Sequence, residues 1–394
     1  MSGRARGRRA GEMRICLYSY WYLPRLGGLE NASRSLATAW ARAGHKVRLV
    51  TDTPAPVGFD AACQFGVLRH PAPAQWRATL GESDLIVSNG VCVRHLGAWL
   101  RSRRPFGWIH GLPLVPPPAG GRRSNVRLFY RRRVCRLADF NVCVSEYMKR
   151  QVASPGAVVI RNGFDAVFRP MPEVPQGGHF LFFGRMIFDK GIDTLIEAVA
   201  LCRARGKELH ARLVGAGADQ QAAEAMAVRL GVRDLVEFAP PQRGEALVRE
   251  INAARAVLVP PHCGDSSPLV VYESLACGKC LIASRDGGIP EVAQGCALMF
   301  EPRDTEGLAA AMLKAADSPA LAREIGEKAL RRAVGFRWEH IAAQYISLFE
   351  RVLAERGRPL RRRVLRAAAR TALAAISRQG AGRSPRSPMD AGGG

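Results

Sequence analysis

Residues 180–191 read FLFFGRMIFDKG, and this stretch decides the fold. The apolar run at 180–183 predicts a buried strand, and a helical pattern runs from Gly191 to about residue 205. A strand, a glycine-containing loop and a helix form the repeating unit of a doubly wound parallel sheet. Arg185 and Lys190 fall in the loop, near the positive end of the helix, where two cations can neutralise a diphosphate. The alternative is that both are solvated surface charges.

The same alternation continues downstream. Apolar runs predict strands at residues 210–214, 235–238, 256–259 and 280–283, with helix-length segments between them. Two further helices are predicted, one from about residue 305 and one from about 338 to 353. We therefore expect a parallel sheet covered by helices.

The first half of the chain repeats this pattern. RICLYS at residues 14–19 predicts a strand, a loop ends in Gly27 and Gly28, and apolar residues three and four apart predict a helix from Leu29. Further strands are predicted at 47–51, 84–89, 106–110, 140–145 and 157–162. Glycines at this loop would let backbone N–H groups approach a phosphate or sugar, although a plain tight turn explains them equally well.

A hinge divides the chain, because residues 168–178 hold three prolines and two glycines and little apolar content. We predict an α/β protein with two Rossmann-like, doubly wound domains facing a central cleft. The predicted divisions are a basic arm at 1–12, a first domain at 13–170, a second domain at 171–337, a closing helix at 338–355 and a basic tail at 356–394.

Composition narrows the class of protein. The 394 residues suit two domains, and the 47% hydrophobic content excludes a disordered or fibrous chain. The sequence has no run of about 20 apolar residues, so we expect no membrane span. No apolar run follows the first arginines, so we expect no secretion signal. The ten scattered cysteines then indicate buried thiols in a reducing, cytoplasmic setting.

The net charge of +24 is concentrated in three places, at residues 1–14, 101–138 and 351–394. This distribution suggests contact with an anionic membrane or nucleic acid at those places, or only a genomic preference for arginine. The stretch from Arg122 to Arg136 is either the solvated face of a helix or a surface for lipid headgroups. The C-terminal tail either lies on a membrane or is disordered.

A third candidate site is CGDSSPLVVYE at residues 263–273. Its small residues offer backbone N–H groups at a helix start, and Asp265 and Glu273 can hold sugar hydroxyls at two points. Cys277 and Cys280 have the spacing of a metal or redox pair, but there is no partner pair elsewhere, so we disfavour that role. No cluster of acids suggests a magnesium site.

Five segments together resemble the family 4 glycosyltransferases of glycosyl transferases group 1, which are retaining enzymes of the GT-B fold. The resemblance covers about residues 13–350. The segments are PRLGGLENASRSLATAWARAGHKV from residue 24, VIRNGFDAVFRP from 159, GRMIFDKG from 184, the Asp265 and Glu273 pair, and GGIPEV from 287.

The resemblance implies a role for each candidate residue in binding a nucleoside diphosphate sugar. Arg185 and Lys190 would contact the diphosphate, Glu273 the ribose and Asp265 the transferred sugar. Backbone amides at the helix start would come from Ser267 and Leu269, because Pro268 has no N–H.

In the first domain the resemblance implies that Gly27 and Gly28 are the glycines near the donor. His110, in WIHG at the end of a strand, resembles the active-site histidine beside the donor sugar. The alternative for His110 is a buried or capping histidine.

One departure concerns the first acid, which is usually Glu in this family and is Asp265 here. The shorter side chain changes which sugar hydroxyl the carboxylate reaches, so the donor sugar is open and so, to a lesser degree, is the activity. The pair Asp265 and Glu273 is interpreted as binding residues and not as a glycosidase acid and base.

The implied reaction transfers a sugar with retention to a glycan or lipid-linked acceptor, with neither metal nor cofactor, at the cytoplasmic face of a membrane. Such enzymes typically make cell-surface glycan, lipopolysaccharide or glycolipid. A second hypothesis is a nucleotide-sugar hydrolase or epimerase of the same fold. A third is a basic nucleic-acid-binding protein on an inactive scaffold, which Arg185, Lys190 and Glu273 disfavour.

Overall fold

The computed structural model describes residues 11–25, 27–112, 132–154 and 156–355. Within them the chain forms two parallel sheets, each covered by helices, as the alternating pattern predicts. Most of the stretch from Arg122 to Arg136, and the tail 356–394, lie outside the described residues. No described helix combines the length and the apolar character needed to cross a bilayer.

The first sheet has seven strands in the order β3-β2-β1-β4-β5-β6-β7, and all the pairings are parallel. Its strands are β1 (Arg14–Ser19), β2 (Lys46–Thr51), β3 (Gly66–Arg69), β4 (Leu85–Asn89), β5 (Phe106–His110), β6 (Phe140–Cys143) and β7 (Val158–Val159). Its helices are α1 (Gly28–Arg42), α2 (Pro73–Glu82), α3 (Leu96–Ser102) and α4 (Glu146–Val152).

The second sheet has six parallel strands in the order β10-β9-β8-β11-β12-β13. Its strands are β8 (Phe180–Arg185), β9 (Ala211–Ala216), β10 (Val236–Ala239), β11 (Ala256–Val259), β12 (Cys280–Ser284) and β13 (Ala297–Phe300). The helices that follow the hinge are α5 (Ile192–Ala204), α6 (Gln220–Arg229), α7 (Gly244–Ala253), α8 (Leu269–Ala276), α9 (Ile289–Ala293), α10 (Thr305–Asp317), α11 (Pro319–Ala333) and α12 (Trp338–Ala354).

The structure differs from the predicted strands at the sheet edges. The sequence gives no prediction of β3 or β13, and β7 spans two residues where six were predicted. All three strands are only partly buried, so they lack the continuous apolar run that marks a central strand. The prediction placed Arg185 in the loop, but it is the last residue of β8.

Helix α12 packs on the first domain, although it follows the second in sequence. The ring centroid of Trp40 on α1 lies 5.6 Å from that of Tyr345 and 5.4 Å from that of Phe349. All three aromatic side chains are fully buried in the core of the first domain. The closing helix therefore completes the first core, and the chain crosses between the domains twice.

Candidate active site between the two sheets

Each sheet has one point at which the strand order reverses, between β1 and β4 in the first and between β8 and β11 in the second. In open α/β sheets, ligands bind outside the carboxyl ends of the strands at such a point. Gly27 and Gly28 follow β1, whereas Arg185 and Lys190 lie at and after the end of β8. The loop that carries Asp265 follows β11.

Lys190 and Asp265 form a salt bridge in which the lysine ammonium donates to the carboxylate oxygen Oδ2. Burial lowers the pKa of Lys190, but the charges of Asp265 and Cys263 and the hydrogen bond to Asp265 together outweigh burial, and the net shift is upward. The charge of Arg185 lowers the same pKa, which places this guanidinium within electrostatic reach. The structure thus gathers two cations and one carboxylate at the end of β8.

Gly191 allows the turn that carries Lys190. Its φ is 76°, and a Cβ atom there would lie 1.9 Å from the carbonyl oxygen of Pro260. Any other residue would therefore push the loop after β8 away from the loop after β11. Close approach of these two loops is what brings Lys190 to Asp265.

The backbone around Asp265 is held by a second acid, Asp286. Its carboxylate accepts the N–H groups of Gly264 at 3.0 Å and Asp265 at 2.8 Å. Burial raises the pKa of Asp286. The following glycine, Gly287, has φ 55°, and a Cβ atom there would lie 2.0 Å from the carbonyl oxygen of Asp265. The turn after β12 therefore packs against the loop after β11 and stabilises its backbone.

The start of α8 contacts the first domain through Ser267 and Leu269. The carbonyl oxygen of Ser267 accepts a hydrogen bond from Nδ2 of Asn162 at 2.9 Å, and its hydroxyl lies 2.6 Å from that of Tyr272. A Cβ atom built on Gly28 would lie 4.0 Å from Cγ of Leu269. The first turns of α1 and α8 are therefore neighbours, and both helices present N–H groups there.

The loop before α1 contains an acid beside the predicted glycines. Gly27 is the extended residue before the helix, and the side chain of Glu30 lies against it in the first turn. Glu30 is buried, and Arg25 Nε is 3.5 Å from its Oε1. A carboxylate in the first turn stabilises the positive end of α1.

Glu273 lies within α8 and is partly exposed. Desolvation, and then the charge of Asp165, raise its pKa to about 8. Asp165 follows β7 and is held to α1, since it accepts hydrogen bonds from Ser35 at 2.8 Å and Arg34 at 3.0 Å. Without a ligand, this shift favours the protonated form of the Glu273 carboxyl at neutral pH.

His110 is the last residue of β5 and is buried. Its Nε2 lies 2.9 Å from Oδ1 of Asn141, whose Nδ2 donates to Cys135 O at 3.0 Å and to Ser154 Oγ at 3.3 Å. Since the amide nitrogen is occupied, Oδ1 accepts from His110 and Nε2 carries the proton. This bond fits the alternative of a buried histidine.

Ser266 joins the two sides of the cleft. Its hydroxyl donates to the carbonyl oxygen of Gly111 at 2.6 Å, and these residues are the immediate neighbours of Asp265 and His110. Hydrogen bonds thus connect Lys190 with Asp265 and Ser266 with Gly111, and Gly28 lies beside Leu269, whereas Arg185 and Glu273 join the set through charge and position.

The sequence prediction assigned no individual role to Glu30, Ser266, Asp286 or Glu291, although all but Asp286 lie in segments that it singled out. The segment RDGGIPEV, which contains Asp286 and Glu291, was available as a signal, because it repeats the strand, glycine and helix order after β12. Cys277 and Cys280 are buried, and burial raises the pKa of each to about 12. Among the described residues there is no group of three potential metal ligands.

Two family models match the chain in succession. Residues 26–168 match Glycosyltransferase Family 4, and residues 168–332 match Glycosyl transferases group 1. The two models meet in the predicted hinge.

Curated relatives and solved structures agree with these matches. A D-inositol 3-phosphate glycosyltransferase from Saccharomonospora viridis is 32% identical over 52% of this chain and 50% of its own length, so the match spans about half of that relative. An MMP alpha-(1->4)-mannosyltransferase from Mycolicibacterium hassiacum is 24% identical over 87% of this chain and 99% of its own length.

Among solved structures, sucrose-phosphate synthase from Thermosynechococcus elongatus superposes with a TM-score of 0.73 at 24% identity, covering 87% of this chain and 100% of that one. HepE from Anabaena, solved with UDP and glucose, gives 0.72 at 20% identity, covering 86% and 100%. These likenesses support the predicted fold of two Rossmann-like domains.

Proposed function

The chain belongs to the family 4 glycosyltransferases, and from that membership we propose that it transfers a sugar from a nucleoside diphosphate sugar to an acceptor hydroxyl. The observation that carries the proposal is the cluster of Arg185, Lys190 and Asp265 at the reversal point of the second sheet. Two cations beside one carboxylate suit a diphosphate next to a hydroxyl-bearing ring.

The diphosphate would be bound by Arg185 and Lys190, with the backbone N–H groups of Ser267 and Leu269 at the start of α8. These four donors lie at the end of β8, in the loop after it and at the start of α8, so the fold sets their backbone positions. Preorganised positive groups stabilise the charge that develops on a leaving diphosphate. We propose that these groups stabilise the leaving diphosphate without a metal ion or cofactor.

The remaining residues orient the donor. Glu273 would bind the ribose hydroxyls and Asp265 the transferred sugar, while His110 approaches that sugar from the first domain. Gly28 leaves room for the donor at the start of α1, whereas the Glu30 carboxylate fills the space beside Gly27. Since the donor would contact both domains, its binding requires the two domains to keep a fixed relative position.

Transfer would proceed with retention of the anomeric configuration. The bond from the anomeric carbon to the diphosphate oxygen breaks, the acceptor oxygen bonds to the same carbon on the same face, and the acceptor proton goes to the leaving phosphate oxygen. No protein nucleophile is assigned.

The acceptor we propose is a glycan or lipid-linked molecule at the cytoplasmic face of a membrane. The support is the set of ten arginines, with no acid, at residues 101–138. Sedimentation with phosphatidylglycerol vesicles and with phosphatidylcholine vesicles tests it. Binding to anionic vesicles only is expected, and no binding to either would contradict a membrane location.

The test of the proposed reaction is to incubate the purified protein with UDP-glucose, GDP-mannose or ADP-glucose, with and without a membrane-lipid extract. Proton NMR then follows the anomeric signal. We expect an α-linked product from an α-linked donor, formed only with the extract. Donor consumed equally without the extract favours the hydrolase or epimerase, and salt-sensitive binding of DNA or RNA without donor turnover favours the nucleic-acid-binding protein.

A further inference from the structure

One acid of the second domain caps a helix of the first. The carboxylate of Glu291 accepts the backbone N–H of Glu146 at 2.8 Å through Oε2 and that of Tyr147 at 2.7 Å through Oε1. These are the first two N–H groups of α4, which have no acceptor within their own helix. The third, that of Met148, is bonded by Ser145 Oγ at 3.2 Å, so the cap is shared between domains.

Glu291 is itself fixed by arginines on both sides. Nη2 of Arg332 on α11 donates to its backbone oxygen at 2.7 Å, which ties the short helix α9 to the second domain. Nη2 of Arg161 lies 3.7 Å from its Oε2 and helps to balance the carboxylate charge. A carboxylate held in this way transmits the position of α9 to α4.

The turn that carries Glu291 also carries the loop of Asp265. The N–H of Gly288 donates to the carbonyl oxygen of Asp265 at 2.8 Å, and the Asp286 carboxylate holds the Asp265 N–H. A Cβ atom at Gly288 would lie 2.0 Å from the carbonyl oxygen of Ser266 and 2.9 Å from Cβ of Ser145. The turn is therefore closely packed between the first domain and the loop after β11 that carries Asp265, which we call the catalytic loop.

We propose that Glu291 is a positioning residue for sugar transfer, because its two hydrogen bonds to α4 set the position of Asp265 relative to His110. The inference rests on the proposed function. Among the described residues, the Glu291 carboxylate bonds two backbone N–H groups and lies beside Arg161, so it acts through the loop and not on the donor. The hydrogen bond from Ser266 to Gly111 joins the immediate neighbours of Asp265 and His110, so it carries this positioning to both residues.

The sharpest variant lies on the other partner. Glu146→Pro removes one N–H donor to Glu291 at the first position of α4, where proline is favoured. The preceding residue, Ser145, is already extended with ψ 162°, as a residue before proline requires. Glu146→Ala loses the same side chain but keeps the N–H, and it is the matched control. Glu291→Gln and Glu291→Ala remove one and both acceptors, with Glu301→Ala as the exposed control.

The first readout is amide hydrogen exchange by NMR, which needs no substrate. Glu146→Pro and Glu291→Ala are expected to raise exchange at Tyr147, Asp265 and Gly288 at least tenfold, whereas Glu146→Ala and Glu301→Ala leave it unchanged. Faster exchange at Tyr147 alone would overturn the coupling to the catalytic loop.

The second readout separates positioning from binding, using the nucleotide sugar that the wild-type protein consumes. We expect kcat to fall at least tenfold in Glu146→Pro and Glu291→Ala and less in Glu291→Gln, with the Kd for the nucleoside diphosphate within threefold of wild type. An unchanged kcat would overturn the inference. If the wild-type protein consumes no donor, the proposed function fails. The exchange result still decides whether the Glu291 contact with α4 stabilises the catalytic loop.

Discussion

The ammonium of Lys190 donates a hydrogen bond to the carboxylate of Asp265, so the charge of a residue proposed to bind the diphosphate is already balanced within the protein. A diphosphate must share or displace this contact when it binds. The salt bridge therefore places the binding of the leaving group and the orientation of the sugar in competition for one cation.

Asp265→Asn should raise affinity for a nucleoside diphosphate by about three- to tenfold, because it removes a negative charge beside the phosphate site. Sugar transfer should fall at the same time, since the sugar loses a carboxylate. Calorimetric titration and a turnover assay check the two effects. Asp317→Asn, which breaks the surface pair with Lys207 at 2.9 Å, is the control and should change neither. Weaker nucleotide binding by Asp265→Asn would contradict the account.

The pKa of Glu273, raised to about 8 by burial and Asp165, predicts a pH dependence of stability. Between about pH 4.5 and 8 the folded protein keeps a proton that the unfolded chain releases, so this group makes stability fall as pH rises. Glu273→Gln should match wild type in Tm at pH 5 and exceed it at pH 9. Exposed Glu245→Gln should show no such crossover, and a Tm gain of Glu273→Gln at pH 5 would count against the raised pKa.

The same proton predicts the pH dependence of donor binding. A ribose hydroxyl donates to a carboxylate and competes with the proton, so nucleotide affinity should rise with pH up to about 8 in the wild type. The rise should be absent in Glu273→Gln, as measured by titration at pH 6, 7 and 8.5. A flat wild-type profile would remove Glu273 from the ribose site.

Asn141→Leu should lower turnover by about tenfold while leaving nucleotide affinity unchanged, because His110 loses the acceptor of its Nε2 proton. Ser154→Ala removes only the contact at 3.3 Å to the Asn141 amide and should keep most of the activity. Steady-state kinetics with calorimetry separates the two effects. Equal turnover in both variants and the wild type would leave His110 with a purely structural role.

Metal removal should leave sugar transfer within about twofold of its original rate, because Arg185, Lys190 and helix N–H groups are proposed to carry the diphosphate charge. The measurement is turnover after dialysis against EDTA, with and without added Mg²⁺ or Mn²⁺. A loss of activity that Mg²⁺ restores would show that these groups are not sufficient.

The central strands were predictable from sequence because β1, β8 and β11 are continuous apolar runs that the sheet buries. The positions of Arg185, Lys190 and Asp265 followed from them, since each lies at or after a carboxyl end. Contacts between distant segments were not predictable. Glu291 and Tyr147 are 144 residues apart, and a motif does not specify its partner across a cleft. Likewise, an amphipathic pattern in α12 shows that one face is buried and not that Trp40 covers it.

The most direct test of a nucleoside diphosphate site at the end of β8 is thermal unfolding with UDP, GDP, ADP and their sugar conjugates. The variant is Arg185→Ala, and the control is Arg285→Ala, which lies at the surface 3.2 Å from Glu301. One nucleotide should raise the Tm of the wild type and of Arg285→Ala by about 2–5 °C at saturation and leave Arg185→Ala unchanged. A folded wild-type protein that no nucleotide stabilises, or an equal shift in Arg185→Ala, would contradict the donor site.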